Sequence, residues 1–112
     1  METPKVEITV DASPNESSID SQGYTLRLAI ACKARRREYG LWGWCAVEVN
    51  ARIGNFEASA YASESSYKGE EDFRQAGIFD DLKNEALADL ERNICNAEET
   101  IAAYREQYQK KH

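Results

Sequence analysis

Apolar and small side chains recur every three or four residues after Phe79, at Leu82, Ala86, Leu90, Ile94, Ala97, Ile101, Tyr104 and Tyr108. That is the period of one face of an α-helix, and no proline or glycine interrupts it. The positions between carry Asp81, Glu85, Asp89, Glu91, Arg92, Glu98, Glu99, Arg105 and Glu106, so the opposite face is solvated. The spacing predicts a helix over 79–108, roughly 45 Å long at about 1.5 Å per residue. A helix of that length has more apolar face than a small domain needs, so a sheet, a second copy or a partner must cover it. Asp80 and Asp81 open it and Lys110 and Lys111 follow its end, as the helix dipole favours. Asn93-Ile94-Cys95-Asn96 is weak in helix propensity and marks a candidate break.

Upstream the period drops to two. Val6, Ile8 and Val10 alternate with Glu7 and Thr9, which predicts a strand over 4–11. The run 11–23, DASPNESSIDSQG, is rich in turn formers and reads as a loop. Its glycosylation sequon, Asn15-Glu16-Ser17, is taken as chance because no secretory signal accompanies it. Leu26, Leu28, Ile30 and Cys32 then alternate with Arg27, Ala29, Ala31 and Lys33, predicting a second strand over 24–35. Residues 35–40, RRREYG, become a hairpin connection in which Gly40 supplies a positive φ. A third strand over 41–53 turns its Cys45, Val47, Val49 and Ala51 to the core. Gly54-Asn55 is a two-residue turn leading into a fourth strand over 56–63. Phe56, Ala58, Ala60 and Ala62 line the core face of that strand, small enough for a long helix to lie close across it. Residues 64–77 are a polar connector with one or two helical turns near 70–76. The expectation is a single α+β domain over 1–112, an antiparallel four-stranded β-meander with one face covered by a long C-terminal α-helix.

Composition limits the chemistry. A chain of 112 residues builds one modest core, and 42% hydrophobic with 30% charged residues is an ordinary folded composition. The net charge of −6 sits mostly in the C-terminal half: residues 64–112 hold twelve Asp/Glu against seven Lys/Arg, residues 1–63 eight against seven. Such a field disfavours general binding to nucleic acid or anionic membranes. The first ten residues, METPKVEITV, lack the basic and apolar regions of a signal peptide, and no run approaches the ~18 apolar residues of a membrane span, so the expected location is the cytoplasm. Cys32, Cys45 and Cys95 are odd in number and far apart, which predicts buried free thiols and neither a disulfide scaffold nor a zinc site.

His112, the only histidine, is the last residue, badly placed for a general base or a metal ligand. The six glycines form no phosphate-cradling loop. A protein that is not an enzyme is therefore expected, with no metal and no cofactor. Three candidate surfaces remain. Arg35, Arg36 and Arg37 beside Tyr39, Trp42 and Trp44 could pair with phosphates and stack on bases, or bind a protein; the structural reading is a charged strand end with tryptophans closing the core. Asp81, Glu85, Asp89, Glu98 and Glu99 form an acidic helix face that is by default solvated and could mimic phosphate toward a basic groove on a partner. Ile101, Tyr104 and Tyr108 continue the apolar stripe where the sheet should have ended, a surface for self-association, most simply a two-fold dimer.

No family motif stands in the sequence. In size, acidity and lack of catalytic residues the chain is similar to small accessory proteins carried by phages and mobile elements, anti-CRISPR inhibitors among them. That likeness is generic and rests on no particular residues; the first expectation is a non-enzymatic binding protein that occludes or bridges a partner, such as a host complex, through its surface. The alternatives are a self-assembling structural subunit built on the long helix and a nucleic-acid-binding module using the arginine hairpin.

Overall fold

Val47, Val49 and Ala51 are fully buried and alternate with Glu48, Asn50 and Arg52, so one strand has a core face and a wet face. This is strand β2 (Cys45–Ile53), the centre of a three-stranded antiparallel sheet. On one side it pairs with β1 (Glu7–Pro14), on the other with β3 (Phe56–Ser65). The computed structural model describes residues 3–14 and 26–110. Across β2, Ile8, Val10 and Ala12 of β1 and Phe56, Ala58, Ala60 and Ala62 of β3 share the core face. The Gly54-Asn55 turn joins β2 to β3, with Ile53 opposite Phe56 and Gly54 at φ 58. Near the far end of β3 a bulge sets two residues against one, and Glu64 takes φ 60 there.

The second expected strand is a helix, α1 (Leu26–Tyr39), and the sheet therefore has three strands where four were expected. The alternation of Leu26, Leu28, Ile30 and Cys32 was compatible with a strand, but the residue types are those of a helix. Leu, Ala, Arg and Lys dominate, and Ile30 is the single β-branched residue of the fourteen. With α1 taking these residues out of the sheet, β1 pairs directly with β2. Its contact with the fold is narrow. Cys32 is buried against Trp44 with Ala29 beside them, while Leu26, Leu28 and Ile30 are exposed. Residues 24 and 25 of the expected strand, the glycosylation sequon and His112 lie outside the described residues.

A 3-10 turn (Gly40–Gly43) follows α1, occupying the start of what was expected as the third strand. Beyond β3 come a short helix, α2 (Glu70–Gln75), and a long one, α3 (Gly77–Lys110). Leu82, Ala86 and Leu90 of α3 are buried against the core face of β2 and β3, with Ile94 partly buried after them. Phe73, the buried residue of α2, closes one end of this core, with the Trp42, Tyr67 and Phe79 rings 5.7, 5.2 and 5.7 Å from its own. The helix runs unbroken through Asn93–Asn96, where a break was a candidate. Asn93 is engaged instead, its Nδ2 donating to the Glu57 carbonyl at 3.3 Å.

At 34 residues, α3 is roughly 51 Å long, longer than the sheet it covers. Every residue from Glu98 to Gln109 is exposed, so about 18 Å of helix projects past the body of the protein. The described chain measures 69 × 33 × 19 Å.

Candidate functional site

The three arginines do not sit on a hairpin; they lie near the C-terminal end of α1, Arg36 and Arg37 in its last turn, with Gly40 at φ 66 ending that helix. This position divides them. Arg35 Nε donates to Ser66 Oγ, whose hydroxyl donates in turn to the Gly43 carbonyl at 2.6 Å. Its guanidinium also lies 4.9 Å from the centre of the Tyr39 ring. Gly43 brings the 3-10 turn against α1 so closely that a Cβ there would stand 2.0 Å from the Arg35 carbonyl oxygen. Arg36 is half-buried, and among the described residues its Nη2 has no hydrogen-bond partner. Only Arg37 of the three is exposed. Trp42 packs on Phe73, and its carbonyl accepts from the Tyr67 N–H at 2.7 Å. Trp44 is buried with Cys32. The cluster thus fastens α1 to the start of β2 and the end of β3, and the expected hairpin is instead the end of a helix.

The acidic residues do not share one face. Asp81, Glu85 and Asp89 climb one side of α3, and at about 100° per residue Glu99 returns to the side of Asp81, but Glu98 falls about 100° away. Asp81 and Glu99 are also roughly 27 Å apart along the axis. Asp89 is paired with Arg92 at 2.7 Å.

Burial pushes the thiol pKa of Cys32 up, with the nearby Glu64 carboxylate adding to it, and burial does the same to Cys45. Tyr67 is raised as well, first by burial and then by Cys45 and Asp72. Nucleophilic thiols need shifts of the opposite sign. Cys95, expected to be buried, is exposed on α3. Among the described residues no three His, Cys, Asp or Glu side chains are placed to hold a metal ion, and no helix is long and apolar enough to cross a membrane.

Ile101, Tyr104 and Tyr108 all lie on the projecting end of α3, with 48, 63 and 52% of their surfaces exposed. The Tyr104 and Tyr108 rings are stacked, 5.7 Å apart and 17° from parallel. Where α3 covers the sheet, the buried residues Leu82, Ala86 and Leu90 are four apart; from Leu90 onward the spacing becomes four, three, four, three, four through Ile94, Ala97, Ile101, Tyr104 and Tyr108. That is the heptad spacing of a helix that packs on another helix. The change of spacing was present in the sequence and was the cue to a helical partner for this segment. At the base of the projection the stripe meets a shallow apolar depression of about 370 Å³ lined by Pro4, Ile53, Phe56 and Ile94, which pattern reading did not find because it joins three separate elements. No protein-family model matches the chain, and neither a search of curated proteins nor one of solved structures returned a match, so geometry carries the functional argument.

Proposed function

We propose that the chain is a non-enzymatic protein-binding module whose binding element is the projecting end of α3. One observation carries the reading: an apolar stripe that is buried at Leu82, Ala86 and Leu90 continues through Ile101, Tyr104 and Tyr108 on twelve successive exposed residues. Most helical stability in proteins comes from packing an apolar face, and a helix of about twelve residues is marginal in water. A segment that keeps such a face beyond its own sheet is suited to packing on another molecule. The remaining chemistry is consistent with binding. Arg35 is engaged within the fold, and the thiols of Cys32 and Cys45 are held in the neutral form.

The test is affinity capture from native cells with the full chain and with a chain ending at Ala97. Among the described residues the shortened protein loses none that is buried, so it should keep its thermal midpoint within about 2 °C. Proteins held by the full chain should be absent from its capture. Recovery of the same proteins by both chains would exclude the projecting end as the binding element.

A further inference from the structure

We infer that the projecting end of α3 takes the same segment of a second copy, antiparallel and in one register; the inference rests on the binding element proposed above. Two helices packing through heptad positions align their stripes, and in an antiparallel pair each position of one chain meets a fixed counterpart in the other. The register that sets Ile101 against Tyr104 of the second copy also sets Ala97 against its Tyr108. Both layers then recur by symmetry. Each joins a larger ring to a smaller side chain, and the methyl group of Ala97, three residues beyond the Ile94 that lines the apolar depression, leaves room for the incoming Tyr108 ring.

Charge selects the same register. Glu98 and Arg105 flank the stripe on one side, seven residues apart. In the register just described Glu98 of each chain faces Arg105 of the other, giving two opposite-charge pairs. Sliding the partner one heptad toward the sheet sets Glu98 against Glu98, and one heptad away sets Arg105 against Arg105. Like charges facing each other across such a seam disfavour both shifts. The first shift is also blocked sterically, because it would set the partner's Tyr108 against Leu90, which the sheet already covers with only 3% exposure remaining. A parallel pair would not bring Glu98 and Arg105 together at all. Two helices overlapping over about twelve residues make an interface at the small end of the range for specific complexes, so association is weak.

Sedimentation equilibrium at ten to several hundred micromolar, on the wild type, Glu98→Arg, Arg105→Glu and the double reversal, tests this. Both substitutions are on exposed flanking positions and leave the core intact. The wild type should be a monomer–dimer equilibrium. Each single reversal should weaken the dimer by about tenfold, two pairs being lost and two repulsions gained, and the double reversal should restore it to within about threefold. A dimer indifferent to all three variants, but lost in Ile101→Asp, would refute the antiparallel register. A wild type that stays monomeric throughout would refute self-pairing; the capture experiment then decides separately whether the projecting end binds a different protein.

Discussion

Replacing Phe73 with alanine should remove a large fraction of the stability of the whole protein. The ring is fully buried and touches the rings of Trp42, Tyr67 and Phe79, which come from three separate stretches of chain. Truncating a buried phenylalanine costs about 3–5 kcal/mol through lost transfer free energy and the cavity left behind. Lost ring–ring geometry belongs at the upper end of that range. A chain of 112 residues has a total stability of roughly 6–17 kcal/mol at 0.05–0.15 kcal/mol per residue, so the variant stays folded at 25 °C with a much lower margin. For a urea m-value of about 1.5 kcal/mol/M the midpoint should fall by roughly 2–3 M. Phe73 is the buried residue of a six-residue helix that cannot stand alone. Its loss should therefore release α2 and expose the Trp42 indole. The assay is a urea titration followed by tryptophan emission in a Trp44→Phe background, so that Trp42 reports alone, with far-UV circular dichroism alongside. A destabilisation under about 1 kcal/mol at unchanged m would show that this side chain is not enclosed as described.

Further outcomes are open to measurement. Arg35→Ser should cost about 1–2 kcal/mol, because the Ser66 hydroxyl and the Tyr39 ring lose their partner, whereas Arg37→Ser should lie within about 0.5 kcal/mol of wild type; equal effects would show that the last turn of α1 is not fastened through Arg35. A thiol reagent should label Cys95 in the native protein and reach Cys32 and Cys45 only on unfolding, which a time course with and without denaturant would read directly. Because the folded thiols of Cys32 and Cys45 have raised pKa values, the unfolded chain releases protons that the folded chain retains. Their contribution is fully present below about pH 8.5 and declines as pH rises from there toward the folded values, with Tyr67 adding a loss of the same sign from about pH 10. Urea midpoints at pH 7.5 and 9.5 should show the decline, and a flat profile would contradict it.

The parts of the fold that were legible in the sequence are those where pattern and residue type agree. The long helix is uninterrupted, and Gly54-Asn55 turns β2 into β3 at the expected residues. The first strand is displaced by three residues, to Glu7–Pro14, since pairing with β2 and not its own alternation sets its ends. Residues 26–39 were misread because their alternation suits a strand while their alanine, leucine and arginine content suits a helix. Composition prevailed there because α1 buries little more than Cys32 and Ala29, too narrow a face to leave a clear helical stripe. The projecting apolar end could be anticipated from length alone, since a helix of that many residues outruns a short sheet. The engagement of Arg35 could not, because Ser66 is 31 residues away and the contact depends on how the 3-10 turn delivers α1.

The projecting helix also changes how one chain moves through solution. Its radius of gyration is 19.8 Å, against roughly 13 Å for a compact chain of this length and about 17 Å for a compact chain twice as long. A single copy should therefore leave a gel-filtration column ahead of globular standards of its mass, near the position of a compact dimer. Pairing through the projecting ends would lengthen the particle without thickening it, to roughly 120 Å from end to end once an overlap of about 18 Å is allowed for. Elution volume consequently confuses length with chain number. Small-angle scattering separates the two states by a near-doubling of the maximum dimension at constant cross-section.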